Sequence, residues 1–123
     1  AIAIPSYMDY TQRAKVSEMI LAAAPAKMAA AEYRVSSGEW PTADALALPA
    51  VETDIVASVA WDADNNQIVL TGTDEVDGLV VNLQGDADTT GAVRWDCCMA
   101  AEAENKQLAP ANCRDACGGD EVD

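Results

Sequence analysis

Midway along this 123-residue chain the spacing of its apolar residues changes from a helical period to a strand period. Over residues 6–35, Val16, Ile20, Ala23, Ala24, Ala31 and Val35 follow roughly the 3.6-residue repeat of a helix. Met19, Met28 and many alanines widen that face, and Arg13, Lys15, Glu18, Lys27, Glu32 and Arg34 fall mostly on the other. Ser37-Gly38 ends the run, because glycine accepts the left-handed cap conformation. Pro5 removes one helix hydrogen bond and kinks any helix that continues upstream of it. Pro25 stands in mid-helix and bends or breaks it there. From residue 54 onward the period is two, which is the repeat of a strand with one buried face.

Between these parts, residues 36–54 contain Gly38, Pro41 and Pro49 and no sustained period. They form a connecting loop, with a short helical turn expected around Thr42–Leu48, capped by Thr42 or Asp44. Four short strands follow: Asp54–Trp61, Gln67–Gly72, Leu79–Leu83 and Ala92–Cys97. In the first, Ile55, Ala57, Val59 and Trp61 share a face. Asp64-Asn65-Asn66 and two acidic loops, Thr73–Gly78 and Gly85–Gly91, supply the turns. Consecutive strands with short turns make an antiparallel meander. Such a sheet needs a cover for its apolar face, and the long helix is the only element large enough. The fold class is therefore α+β: a long N-terminal helix packed on a four-stranded antiparallel β-sheet with a disulfide-closed C-terminal loop.

Composition narrows the chemistry. The net charge is −14, and it is uneven: residues 1–34 carry +1 and residues 35–123 carry −15. An acidic body repels phosphate, so direct binding of nucleic acid is not expected. The chain has no His and four cysteines, Cys97, Cys98, Cys113 and Cys117, all in its last 27 residues. A zinc site would need all four thiolates, and their spacing lacks the C-x-x-C pairs of zinc ribbons. Two disulfides are the better reading, and they imply an oxidising compartment. Neighbouring strand residues point to opposite faces, so Cys97 and Cys98 do not pair with each other. The other two pairings stay open at this point. No enzyme is expected: there is no triad histidine and no glycine-rich phosphate loop beside a helix. Asp62, Asp64 and Asn66 have the every-second-residue spacing of oxygen ligands in a calcium loop. They lack its glycine and distal glutamate, so a hairpin turn is the simpler explanation and calcium is a weak candidate, with no other cofactor expected. Asp86, Asp88, Asp120, Glu121 and Asp123 are comparable loop or tail carboxylates.

The first eighteen residues, AIAIPSYMDYTQRAKVSE, match the form AIAIPxYxDYxxRxxVSE at Ala1–Pro5, Tyr7, Asp9, Tyr10, Arg13 and Val16–Glu18. The tail has Trp95-Asp96-Cys97 and then Pro110-Ala111-Asn112-Cys113-Arg114. Both ends resemble type IV pilins, the subunits of bacterial surface filaments, of the type IVa-like major kind. The tail departs from the family pattern in that Leu108 is shifted by one place, and Pro25 replaces a residue that is usually not proline. The resemblance covers both ends well and the centre by layout.

The resemblance implies a division into an N-terminal pilin helix, residues 1–35, and a globular head, residues 36–123. The head comprises a loop over 36–54, a sheet over 55–97 and a disulfide-bonded region over 97–123. It implies an N-terminally truncated chain whose preceding apolar segment, about 20 residues long, anchors the subunit in the inner membrane. It implies assembly into a helical filament of like subunits by the pilus machinery, outside a Gram-negative cell, for adhesion, motility or surface attachment. Ile4, Pro5, Tyr7, Tyr10, Arg13 and Val16 are its assembly-interface residues. Cys97 pairs with Cys113 by the same resemblance, closing a loop worth about 3 kcal/mol. That leaves Cys98 with Cys117, and Cys97–Cys117 with Cys98–Cys113 is the other arrangement. The alternatives are a minor pilin, a type II secretion pseudopilin, or a soluble calcium-dependent binding module.

Overall fold

A computed structural model describes residues 3–46, 48, 50–100 and 103–117, with the backbone alone over 3–10. Two helices open the chain, α1 (Ala3–Leu21) and α2 (Ala24–Ser37). Four strands follow: β1 (Val56–Asp62), β2 (Gln67–Gly72), β3 (Val80–Ala87) and β4 (Val93–Cys98). They form one antiparallel sheet in the order β1-β2-β3-β4, the meander expected from the two-residue period.

The helical run is divided, and Pro25 explains where. Without an N–H, Pro25 cannot bond the carbonyl of Leu21. The last turn of α1 tightens instead, with Ala22 and Ala23 N–H donating to the Met19 and Ile20 carbonyls at 3.1 Å each. Pro25 then lies in the first turn of α2, where a missing N–H costs nothing. At the far end Gly38, at φ 82°, donates its N–H to the Arg34 carbonyl and closes the helix.

One stripe of this pair packs on the sheet. Val16 and Met19 of α1, with Ala23 and Ala26 beside them, meet Ile68 and Leu70 of β2 and Val81 and Leu83 of β3. Ile68 lies opposite Leu83 and Leu70 opposite Val81, so these four side chains form one apolar sheet face. All are essentially fully buried. The alanines let the helix backbone sit close to that face, and each large side chain withdrawn from water contributes about 1.5–3 kcal/mol.

In β1 the expected alternation holds for Val59 and Trp61 and fails before them. Val56 pairs with Gly72 and Ser58 with Thr71, which leaves Ala57 as an extra residue. This bulge shifts the phase. Val56 is buried and Ala57 is exposed, the reverse of a strictly alternating strand. The helical turn expected over Thr42–Leu48 is only a turn at 43–45, with Ala45 N–H donating to the Thr42 carbonyl at 3.1 Å; Ala47 lies outside the described residues.

Candidate functional site

Both disulfides form, Cys97–Cys113 and Cys98–Cys117, with Cα atoms 4.6 and 5.0 Å apart. The arrangement left as the alternative, Cys97–Cys117 with Cys98–Cys113, does not occur. Register explains why two adjacent cysteines need two separate partners. Cys97 lies opposite Leu83, on the face covered by the helices, and Cys98 lies opposite Asn82, on the outer face. The tail therefore reaches β4 on its inner side at Cys113 and on its outer side at Cys117. Between those points it pairs with the chain just beyond β4. Met99 N–H donates to the Asp115 carbonyl at 3.0 Å, and Cys117 N–H donates to the Met99 carbonyl at 2.9 Å. On the outer face Asn82 Nδ2 also approaches Cys117 Sγ at 3.4 Å.

Few apolar groups assist the bridges. Leu108, Ala109 and Cys113 are buried. Two arginines tie down the same segment. Arg114 donates from Nε to the Ala109 carbonyl at 2.9 Å and from Nη2 to the Gln107 carbonyl at 3.1 Å. Arg13 donates from Nε to the same Gln107 carbonyl at 3.0 Å. The helix arginine of the sequence motif is thus engaged within its own chain, fastening α1 to the tail.

Val16 is likewise turned inward. It is fully buried in the core, so it offers no surface to a neighbouring subunit. Val16 thus belongs to the core rather than to an exposed face, while Arg13 stays exposed beside its bond to Gln107. The backbone of α1 runs through Ile4, Pro5, Tyr7 and Tyr10, whose side chains lie outside the described part. The backbone of α1 spans about 20 Å from Ala3 to Val16.

The acidic turns hold their own backbone. Asp62 Oδ1 accepts from the N–H groups of Asp64, at 3.0 Å, and Asn65, at 3.4 Å, while Oδ2 accepts from Asn65 Nδ2 at 2.9 Å. Asn66 completes that turn at φ 56°. Asp88 Oδ1 accepts from Thr90 Oγ1 at 2.6 Å, Thr90 N–H at 2.9 Å and Ala92 N–H at 3.1 Å. The hydroxyl and backbone donors of Thr90 hold the Asp88 carboxyl below its ordinary range. Lys15 does the same for Glu75, by hydrogen bond and by charge, and joins α1 to the short 3₁₀ turn Asp74–Val76. Among the described residues, no group of three His, Cys, Asp or Glu side chains gathers as a metal site. Asp120, Glu121 and Asp123 lie outside the described residues.

Sequence reading missed one cluster. Trp40, Trp61 and Trp95 converge, with ring centroids 5.8–6.4 Å apart. Trp61 Nε1 donates to the Pro41 carbonyl at 3.0 Å, and the Arg34 guanidinium lies over Trp40 at 5.8 Å from the ring centre. Gly85, opposite Trp95 in β3, makes room: a Cβ there would meet Trp40 Cη2 at 2.6 Å. The cluster pins the connecting loop to the sheet. The available signal was a glycine inside a strand, which marks close approach of another group.

Residues 12–114 match the pilin family, described as a bacterial filament family. A fimbrial protein of Neisseria meningitidis serogroup A is 32% identical, with 94% of this chain and 84% of the relative covered. The fimbrial protein EcpC of Eikenella corrodens is 32% identical over 94% of this chain and 79% of its own length. A type IV major pilin protein, PilE1 of Neisseria gonorrhoeae, is 32% identical over 94% of this chain and 77% of its own. No solved structure matched.

Proposed function

This chain belongs to the pilin family, the subunits of bacterial filaments, and we propose that it polymerises through its N-terminal helix into an extracellular pilus that mediates adhesion, surface attachment or motility. It is a structural subunit, and such a role requires no catalytic centre. The observation that carries the reading is the match of residues 12–114 to the pilin family, with a helix from Ala3 to Leu21 available for the purpose.

The names of the gonococcal relatives favour a major subunit over a minor pilin or a pseudopilin. No helix among the described residues is long and apolar enough to cross a membrane. An inner-membrane stage before assembly, with the pilus machinery as its partner, belongs to the same proposal. The acidic head supports attachment through surfaces other than nucleic acid, since phosphate is repelled by it.

The test is to shear surface filaments from cells that make the protein and identify their subunit by mass spectrometry. This chain should be the dominant species, with both disulfides intact, and deleting its gene should remove the filaments. Recovery of the chain only in the soluble fraction, with filaments unchanged by the deletion, would overturn the reading.

A further inference from the structure

The two bridges sit in different surroundings. Cys97–Cys113 lies on the face covered by the helices, with Cys113 only 2% exposed. It borders a narrow gap of about 280 Å³ beside Ile20, Lys27 and Pro110. Cys98–Cys117 lies on the outer face, and both of its residues line an open cleft of about 800 Å³. Of the inner pair, Cys97 borders that cleft and Cys113 does not.

Asn82 distinguishes the outer bridge further. It stands directly opposite Cys98 in the β3–β4 register, and opposed Cβ atoms in an antiparallel pair are about 4.5–5.5 Å apart. Its amide is half used. Nδ2 approaches Cys117 Sγ at 3.4 Å, while Oδ1 is buried with no hydrogen-bond partner among the described residues. A buried acceptor left unpaired is destabilising. A disulfide sulfur carries no proton to offer it, whereas a thiol does. The oxidised outer bridge therefore leaves unsatisfied a group that its reduced form can satisfy. The other such atom among the described residues is Arg34 Nε, whose guanidinium lies over Trp40 rather than beside a cysteine.

We infer that Cys98–Cys117 is a redox-sensitive latch, opened by small thiols while Cys97–Cys113 stays closed. The incoming thiolate attacks Sγ of Cys117, the more exposed of the two residues. A bond forms between those sulfurs as the Cys98–Cys117 bond breaks, and Cys98 leaves with the electron pair. Cys98 then takes a proton from solvent, replacing the one the small thiol released, and its S–H donates to Asn82 Oδ1. A second small thiol displaces Cys117 from the mixed disulfide, so two small thiols become one small disulfide and the protein gains two thiols. The new Cys98 thiol points to the face opposite Cys97, so it does not attack the inner bridge. Once the latch is open, Asp115 and Cys117 stay on the outer face through their backbone hydrogen bonds to Met99, and that wall of the cleft is free to move.

The experiment equilibrates the 123-residue chain with dithiothreitol, which supplies both thiols in one molecule, at a series of reduced-to-oxidised ratios. Free thiols are trapped by alkylation and located by peptide mapping. Label should appear first at Cys98 and Cys117, with the outer bridge half open at a ratio at least tenfold lower than the inner one. Asn82→Leu keeps the size of the side chain and removes its amide, so it should make the outer bridge harder to open and bring the two midpoints several-fold closer. Should that variant not form its native bridges, Asn82→Ala is read in the same way. Opening of Cys97–Cys113 first, or of both bridges together, in the parent chain would overturn the latch whatever the variants do. Midpoints that neither substitution moves would overturn it as well, because the buried amide would then play no part in the opening.

Discussion

The middle of the sheet and the C-terminal tail are held by different means. In β2 and β3, Ile68, Leu70, Val81 and Leu83 are withdrawn from water against α1 and α2, and the strands bond each other along their length. The tail has Leu108, Ala109 and Cys113 as its buried apolar contribution and is fixed by two bridges and by arginine-to-carbonyl hydrogen bonds. Burial is distributed over many weak contacts and fails cooperatively. Covalent fixing is concentrated at a few points and fails locally.

Truncating the sheet core should have the largest effect. Leu70→Ala removes a fully buried side chain in the centre of the apolar face and should cost about 2–5 kcal/mol. In urea titrations the tail and the sheet should lose structure in one transition, because the tail has nothing to hold without β4. Two separate transitions would break the comparison.

Removing a bridge should separate the two regions. Cys97→Ser with Cys113→Ser removes one bridge while Cys98–Cys117 still closes the overlapping loop, so it should cost less than the ~3 kcal/mol of an isolated loop of this length. Hydrogen exchange should accelerate over residues 103–117 while the amides of β2 and β3 stay protected. If the β2–β3 amides are lost together with the tail, the bridge supports the whole head and the distinction fails.

A smaller change sharpens the account of the tail. Arg114→Ala deletes two hydrogen bonds to the Gln107 and Ala109 carbonyls and should cost about 1–2 kcal/mol. The change should appear as faster exchange at Leu108 and Ala109, whose N–H groups close the turn there. A variant indistinguishable from the parent would show that the bridges alone suffice.

The smallest effect concerns the link between α1 and the 3₁₀ turn. The folded Glu75 carboxyl titrates below its ordinary value of 4.5, so its pairing with Lys15 favours the native state above that pH. The contribution is lost as pH falls through 4.5 and past the lowered folded value. Glu75→Gln should therefore lower the melting temperature slightly at pH 7, and the gap to the parent should close by pH 3. Both groups are exposed, so added salt should shrink the gap as well. A gap that persists in acid would assign the effect to packing.

Much of this architecture could be read from residue order. Apolar spacing located the helices and all four strands, and Pro25 marked the break between α1 and α2. The alternation in β1 misled at Ala57 because a bulge adds one residue without leaving a compositional trace, and Val56 before it then takes the buried face. Neighbouring cysteines on a strand required partners on two faces, and the match to the pilin tail chose between the remaining pairings. The motif alone does not reveal that Val16 is buried, because a motif records which residues recur, not which way they point. Val16 sits on the same apolar repeat as Met19 and Ala23, and the repeat was the better guide. The tryptophan cluster joins residues from the connecting loop, β1 and β4, so no local pattern announces it; only register, with Gly85 opposite Trp95, brings them together.

The paired closure of the tail also bears on proteolysis. A single cut between Met99 and Asn112 would sever the backbone without releasing a fragment, since Cys113 and Cys117 would remain bonded to Cys97 and Cys98. Lengthening that stretch carries a cost that grows only with the logarithm of its size. A loop closed in this way can therefore be nicked, enlarged or exchanged while the molecule that displays it stays in one piece.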